Sequence, residues 1–200
     1  MKKIVLLALS LLLTIGVKAQ HEEETFTVQP RVGMNISTMN DYNKAKFGYS
    51  FGMEIEYQID DMWSLAGALM YSDQGGIDKS NGVKEVLDID YVNVPITVNC
   101  YLLPGLAVKA GMQPAFRTKT SVTIDGSKTD VDWLLKQYGE DTKMSKFMLS
   151  VPVGISYEYK NVVLDARYNI GITDIFKEEG VMRNHVFQLT LGYKFEKDFF

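Results

Sequence analysis

Residues 185–195 read HVFQLTLGYKF, and this stretch decides the fold of the chain. One of its faces carries a large apolar side chain at every second position: Phe187, Leu189, Leu191, Tyr193 and Phe195. The other face is polar or small at every position but the first, Val186. Successive side chains of a β-strand point to opposite faces, so a period of two over eleven residues predicts a strand rather than a helix.

Seven earlier segments show the same alternation, which predicts eight strands in all. They are residues 26–37, 47–58, 63–74, 87–102, 106–117, 147–159 and 162–173. Their connections alternate long and short, with long ones at residues 38–46, 73–85, 118–145 and 174–184. Bacterial outer-membrane barrels have an even strand count, short periplasmic turns and long external loops. The pattern therefore predicts an all-β, eight-stranded antiparallel up-and-down transmembrane β-barrel with both termini in the periplasm.

The fourth predicted strand, residues 87–102, changes its pattern partway. Leu87 and Ile89 are apolar at odd positions, whereas the apolar residues from Val92 to Leu102 occupy even positions. One extra residue in a strand reverses the phase of the side chains that follow it. We therefore predict a β-bulge near Tyr91, which would keep all these apolar residues on one face.

The chain begins with a predicted signal peptide, residues 1–19, which we expect to be cleaved. Lys2 and Lys3 precede an apolar run at residues 4–15, and Ala19 is a small residue at the cleavage point. The run is too short to cross a bilayer comfortably. We expect residues 20–25 to form a periplasmic N-terminal segment and residues 26–200 to form the outer-membrane barrel.

The mature chain is acidic and has one cysteine. Loss of Lys2, Lys3 and Lys18 lowers Lys+Arg from 21 to 18 against 25 acids, so the formal net charge falls from −4 to −7. Nucleic-acid binding needs a basic surface, so we expect no nucleic-acid partner. Cys100 stands alone, which excludes an intramolecular disulfide.

Alternation by itself does not say which face points outward, since a soluble lipocalin-like barrel buries its apolar face. The polar faces are rich in glycine, serine and alanine, which suit the narrow lumen of an eight-stranded barrel. Aromatic residues also lie at both ends of the apolar faces, as the two interfaces of a bilayer favour. One girdle comprises Phe26, Tyr57, Trp63, Tyr157, Tyr159, Tyr193 and Phe195; the other comprises Phe47, Tyr49, Tyr71, Phe116, Phe147 and Phe187. The apolar face is therefore predicted to contact lipid.

Six short segments resemble the PorT-like outer-membrane β-barrel proteins of Gram-negative bacteria. They are PRVGMNIS at 30–37, YSDQG at 71–75, DYVNVP at 90–95, AGMQP at 110–114, DARYNIG at 165–171 and LGYKF at 191–195. The resemblance implies an outer-membrane barrel. It also implies a connection with protein secretion, because PorT itself is linked to a secretion and gliding apparatus.

The predicted register places nine charged residues inside the barrel. They are Arg31, Glu54, Glu56, Lys109, Arg117, Glu158, Asp165, Arg167 and Lys194. Unpaired charges are costly in a narrow interior, so four acids facing five bases predict an ion-pair network. Such a network fills the lumen and makes it non-conducting, which is the interpretation we favour. The alternative is a porin-like narrow channel for small solutes or ions.

The sequence offers little for catalysis. The mature chain contains only two histidines, His21 in an acidic N-terminal segment and His185 at the outer end of the last strand. No nucleophile–base pair and no metal-ligand spacing appears, so we expect no enzymatic activity, no catalytic residues, no cofactor and no metal.

The longest connection carries a candidate partner-binding helix. Asp130 is a suitable N-cap and Gly139 a suitable end for a helix at residues 131–138. An apolar stripe follows helical spacing there and comprises Val131, Leu134, Leu135 and Tyr138, with Trp133 beside it. The stripe either packs on the barrel rim or contacts a protein partner. We thus expect a structural or interaction role through the external loops, with outer-membrane lipid and, during insertion, the barrel-assembly machinery as further partners.

Overall fold

The computed structural model describes residues 24–40, 42–80, 83–131, 145–173 and 183–196. Eleven strands fill most of this part of the chain. They are β1 (Phe26–Met39), β2 (Lys44–Gln58), β3 (Trp63–Ser80), β4 (Val83–Asn93), β5 (Ile96–Leu103), β6 (Leu106–Ile124), β7 (Ser127–Asp130), β8 (Phe147–Tyr159), β9 (Val162–Gly171), β10 (Asn184–Tyr193) and β11 (Phe195–Glu196). No helix in the described ranges is long and apolar enough to cross a membrane.

The strands form one closed antiparallel ring. β4 and β5 lie end to end and share the neighbours β3 and β6, so they make one wall strand, as do β10 and β11. β7 folds back along the end of β6. The ring closes at β1, where Met34 pairs with Tyr49 of β2 on one side and Leu189 of β10 on the other. The wall therefore has eight strands, which confirms the predicted fold class.

The interior of this ring is polar and its exterior is apolar. Gln29, Asn35 and Asn99 are fully buried inside, whereas Val32 and Leu69 expose 61% and 60% of their surface on the outside. A protein folded in water hides its large apolar side chains. The observed arrangement is the reverse, so the exterior matches hydrocarbon, and the soluble barrel is excluded.

Aromatic rings meet along both borders of the apolar exterior. Phe26 contacts Tyr57 at one border, with ring centroids 4.7 Å apart. Phe116 contacts Phe147 at the other, with centroids 5.6 Å apart. These pairs belong to the two predicted girdles and mark the levels at which bilayer interfaces are expected.

The two ends of the barrel differ. At the end that we call the turn end, β2–β3, β5–β6 and β8–β9 are joined by residues 59–62, 104–105 and 160–161. At the opposite, loop end, β3 and β4 stay paired as far as Ser80 and Val83, so the predicted loop at 73–85 is wrong. Composition misled the prediction, because Gly75 and Gly76 lie within a strand. Tyr42 packs where a Cβ of Gly76 would lie, with its ring 2.6 Å from that position.

The predicted connection at 118–145 begins as a hairpin. β6 continues to Ile124 and turns back at Asp125 and Gly126 into β7. Both turn residues have positive φ, 46° and 88°, which is the backbone of a two-residue type I′ hairpin.

The predicted bulge in the fourth strand is also wrong. Leu87, Ile89 and Tyr91 point into the barrel on the same side as Asn93, so the phase of β4 never changes. The irregularity lies in β6 instead, where the register passes from Lys119 to Arg117 as β4 advances by one residue. What changes along β4 is the polarity of the interior, which becomes apolar towards the loop end.

Candidate functional site in the barrel lumen

Charged side chains enter the lumen because they occupy inward positions of strands whose side chains point alternately inward and outward. The structure places all nine predicted lumen residues on the inner side, eight of them buried and Arg117 half-buried. They do not form one cluster, however. Arg117 lies beside Tyr91 towards the loop end, where its guanidinium donates to the Thr120 hydroxyl.

Five of these residues form a central cluster in which two carboxylates share three cations. Glu54 lies 2.7 Å from Arg31, 2.6 Å from Arg167 and 3.3 Å from Lys109. Asp165 contacts the same three cations at 3.1, 2.7 and 3.0 Å. Every cation thus meets both carboxylates, and the central cluster carries a net charge of +1.

A second, turn-end cluster surrounds Lys194. Its ammonium lies 3.0 Å from Glu56 and 2.7 Å from Glu158. Glu56 also accepts hydrogen bonds from the Tyr101 hydroxyl at 2.7 Å and the Asn99 amide at 2.9 Å. With two acids and one base, the turn-end cluster carries a net charge of −1.

Gln29 joins the two clusters. Its amide nitrogen donates to Glu56 at 2.9 Å, and its amide oxygen accepts from Arg31 at the same distance. The joined clusters, here called the eight-charge network, contain four cations and four anions and are neutral overall. Buried charges are tolerated when they are paired and hydrogen-bonded. The ion pairs and hydrogen bonds of the network therefore offset the desolvation penalty of its eight charged groups.

An apolar layer lies inside the barrel towards the loop end. It consists of the buried side chains of Met39, Leu87, Ile89, Tyr91, Ala115 and Met148, with Tyr42 and Val122 packed against it. Sequence reasoning missed this layer because it assumed a polar interior along the whole barrel. The residue numbers contained the information that was needed. Leu87 and Ile89 are odd-numbered, like the inward-facing Asn93 and Asn99, and therefore also face inward.

Ion pairs at the loop-end rim were missed as well. The Lys46 ammonium contacts Asp73 and lies 2.9 Å from Asp88, which in turn lies 3.2 Å from Lys128. These rim ion pairs connect β2, β3, β4 and β7. Reading residues 73–85 as a loop concealed them.

The other candidate residues lie apart from the lumen. His185 faces outward near the loop end and stacks on Tyr168 with ring centroids 6.1 Å apart. No group of three or more His, Cys, Asp or Glu residues suited to a metal ion occurs within the described ranges. Of the predicted partner-contact residues, Val131 is half-buried. The others lie outside the described residues: Trp133, Leu134, Leu135 and Tyr138. His21 lies outside them as well.

A closed ring of eight strands with an apolar exterior and a polar interior defines a transmembrane β-barrel. Residues 18–177 match the model of the family described as outer membrane protein beta-barrel domain, and the chain belongs to this family. No curated protein sequence matches the chain.

Solved outer-membrane proteins share the fold. The chain is similar to Neisserial surface protein A (NspA), with 18% identity and a TM-score of 0.56, over 85% of this chain and 97% of that one. It is also similar to Ail, the attachment invasion locus protein of Yersinia pestis, solved in complex with the heparin analogue sucrose octasulfate. That match has 14% identity and a TM-score of 0.53, over 86% of this chain and 99% of that one. At such identities the likeness shows the fold alone.

Proposed function

We propose that the protein is a non-conducting outer-membrane barrel that acts as a structural or interaction protein through its loop end. The observation that carries the closed lumen is the central cluster, whose ion pairs connect strands far apart in the ring. Glu54 of β2 reaches Lys109 of β6 at 3.3 Å, although β3 and the β4–β5 strand separate these two strands in the wall. It also reaches Arg167 of β9 at 2.6 Å. Side chains that meet across a lumen obstruct it.

Opening a path would require breaking several of these contacts at once. Removing one partner of a buried ion pair costs about 3–5 kcal/mol, because the other charge stays buried without compensation. The apolar layer adds a second barrier, since buried apolar side chains such as Leu87 and Ile89 disfavour the passage of hydrated ions. We therefore expect the purified protein to give no steady current in a planar bilayer. A steady, ion-selective conductance would instead support the alternative, a narrow channel.

The loop end is suited to recognition because ordered strands extend beyond the lipid-facing band. On β3, the outward aromatic positions end at Tyr71, and the strand continues to Ser80. Nine residues at about 3.3 Å each, tilted by about 40°, project roughly 20 Å beyond that level. The rim ion pairs connect β2, β4 and β7 within this projection. Residues 132–144, with Trp133 and Tyr138, follow β7 by one residue in the sequence and are the proposed recognition segment. The resemblance to PorT-like proteins adds a link to protein secretion to the proposal.

Co-purification tests the interaction role. Proteins recovered with the tagged barrel from gently solubilised outer membranes are compared with those recovered by a variant in which a short glycine–serine linker replaces residues 132–144. The β6–β7 hairpin stays intact in that variant. A matched control replaces residues 174–182 in the same way. Loss of a partner from the first variant but not the control supports recognition by residues 132–144, whereas identical recovery from all three proteins contradicts it.

The proposed orientation has both termini in the periplasm after removal of residues 1–19, with insertion by the barrel-assembly machinery. An epitope placed between Asn81 and Gly82 is then exposed on intact cells, while one following Phe200 is reached only after the outer membrane is permeabilised. The reverse labelling contradicts the orientation. We propose no enzymatic role, since His185 faces lipid-side neighbours and takes no part in the buried network.

A further inference from the structure

The sheet that projects at the loop end carries lysines on its outer face. On β3, Ile77 faces outward because it lies an even number of residues beyond the outward Tyr71. Directly paired residues of neighbouring strands share a face of the sheet. One row of successive partners therefore crosses β2, β3, β4, β6 and β7 on the outer face: Lys44, Ile77, Val86, Thr123 and Lys128. A lysine stands at each end of this row.

A second pair of lysines lies in the next row away from the membrane. Lys79 of β3 directly faces Lys84 of β4. Like charges directly opposite each other destabilise a pair of strands, so these lysines cost stability unless an anion lies close to both ammonium groups. The four lysines of the two rows are here called the lysine strip: Lys44, Lys79, Lys84 and Lys128.

Most of the positive charge of the lysine strip is uncompensated. Lys44, Lys79 and Lys84 are exposed, and their ammonium groups form no ion pair with any residue that the structure describes. Lys128 is the exception, since it lies 3.2 Å from Asp88. The whole chain carries a formal net charge of −4, so the strip concentrates positive charge on an acidic protein. Charge complementarity therefore indicates an anionic ligand.

The dimensions of the lysine strip and its surroundings restrict the anion. Four strand spacings of about 4.8 Å separate Lys44 from Lys128, roughly 19 Å in all, and the two rows lie about 7 Å apart. On the membrane side, the next row contains Asp88 and Asp130, which repel the phosphate groups of lipids. A double helix is broader than the strip and would meet these aspartates. The row between the lysines contains no aromatic ring on which single-stranded bases would stack, so a thin polyanionic chain approaching from outside fits best.

We propose that the lysine strip binds a soluble acidic polysaccharide that carries sulfate or phosphate groups. Lysine ammonium groups act as point charges, which match tetrahedral anions spaced along a chain. The half-buried Ile77 and Val86 provide an apolar floor against which the sugar rings pack. The proposal rests on the proposed exposure of the loop end at the cell surface. It gives the interaction role a ligand class that does not depend on residues 132–144.

Binding of fluorescein-labelled dextran sulfate to the full barrel in phosphatidylcholine nanodiscs tests this site, with uncharged dextran as the reference ligand. The double variant Lys79→Gln/Lys84→Gln should lose about tenfold in affinity, since each exposed charge pair contributes up to about fivefold. Lys146→Gln/Lys160→Gln is the matched control, because it removes the same charge at exposed lysines outside the strip. Its affinity should stay within about twofold of the wild type. Equal losses in the two double variants, or no binding by the wild type, overturn the proposal.

Lys84→Glu separates binding from folding. It replaces the opposed lysines by an ion pair with Lys79, so the equilibrium constant for unfolding should stay unchanged or fall. The affinity for dextran sulfate should nevertheless fall about tenfold or more, because the strip loses two units of positive charge. Binding equal to that of the wild type contradicts the site.

Two competing ligands identify the source of the anion. Vesicles that contain phosphatidylglycerol and a short DNA duplex are each offered to the same nanodiscs. Binding of either one as tightly as dextran sulfate contradicts a polysaccharide site. Both faces of a nanodisc are accessible to ligands, so these outcomes do not depend on the orientation of the barrel in the cell, which epitope labelling tests separately.

Discussion

Glu54→Gln is the sharpest test of the eight-charge network. The substitution keeps the size of the side chain and removes the charge that three cations share within 2.6–3.3 Å. The net charge of the central cluster rises from +1 to +2. At an effective dielectric constant of about 20, each such pair contributes roughly 5 kcal/mol of Coulomb energy, and the desolvation of the carboxylate offsets most of the sum. We expect the free energy of unfolding to fall by about 3–5 kcal/mol, the usual loss for a broken buried pair.

Glu158→Gln is the matched control, with the same chemical change at another buried glutamate. Glu158 pairs with Lys194 at 2.7 Å, and its neutralisation moves the turn-end cluster from −1 to zero. The expected loss is therefore only about 1–2 kcal/mol, the range for one hydrogen bond to a charged group. A second substitution, Arg31→Met, returns the Glu54→Gln central cluster to +1. The double variant should recover part of the lost stability, giving a coupling energy of about 1–3 kcal/mol.

Reversible urea unfolding in lipid vesicles measures these differences, with the fluorescence of Trp63 on the outer wall as the signal. The reasoning is refuted if Glu54→Gln lies within about 0.5 kcal/mol of the wild type, a range typical of uncoupled surface changes. It is equally refuted if Glu54→Gln and Glu158→Gln lose the same stability, or if Arg31→Met adds to the first loss without coupling.

Three further predictions use the same unfolding assay. Ile89→Ala opens a cavity in the apolar layer and should cost about 2–5 kcal/mol, and a cost below about 1 kcal/mol would show that the layer is loosely packed. Tyr101→Phe removes the hydroxyl that donates to Glu56 at 2.7 Å and should cost about 1.5–3 kcal/mol; an unchanged stability would mean that Glu56 is satisfied without it. Val153→Arg, near the middle of the lipid-facing stretch of β8, should cost about 2–4 kcal/mol, whereas Ile172→Arg at the loop-end border should cost about 1 kcal/mol or less. Equal costs at these two positions would contradict the placement of the bilayer.

Sequence parity predicts much of this barrel because the side chains of a strand alternate without exception where no bulge intervenes. Arg31 and Glu54 could be assigned to the lumen in this way before any coordinates. Their partners could not, since Lys109 and Glu54 are 55 residues apart and meet only through the closure of the ring. Pairings across a lumen depend on the stagger between strands, which alternation does not encode.

The errors have one origin, because side-chain polarity was used to infer both the direction of a side chain and the presence of a loop. Leu87 and Ile89 point inward although they are apolar, because other apolar side chains surround them in the loop-end interior. Conversely, Asp78 and Lys79 belong to a paired strand although their composition is typical of a loop. Backbone hydrogen bonds with β4 hold that strand, and they leave no trace in the composition.

The eight-charge network draws on both extremities of the barrel, since Arg31 lies on β1 and Lys194 directly follows β10. A partly formed sheet that lacks Arg31 or Lys194 has one more anion than cations in its interior. The charges balance only when the first and last strands pair. The stabilisation that the complete network provides is therefore gained at the last step of barrel closure. A sheet that stays open therefore keeps buried charges without their partners, which is costly in a narrow interior.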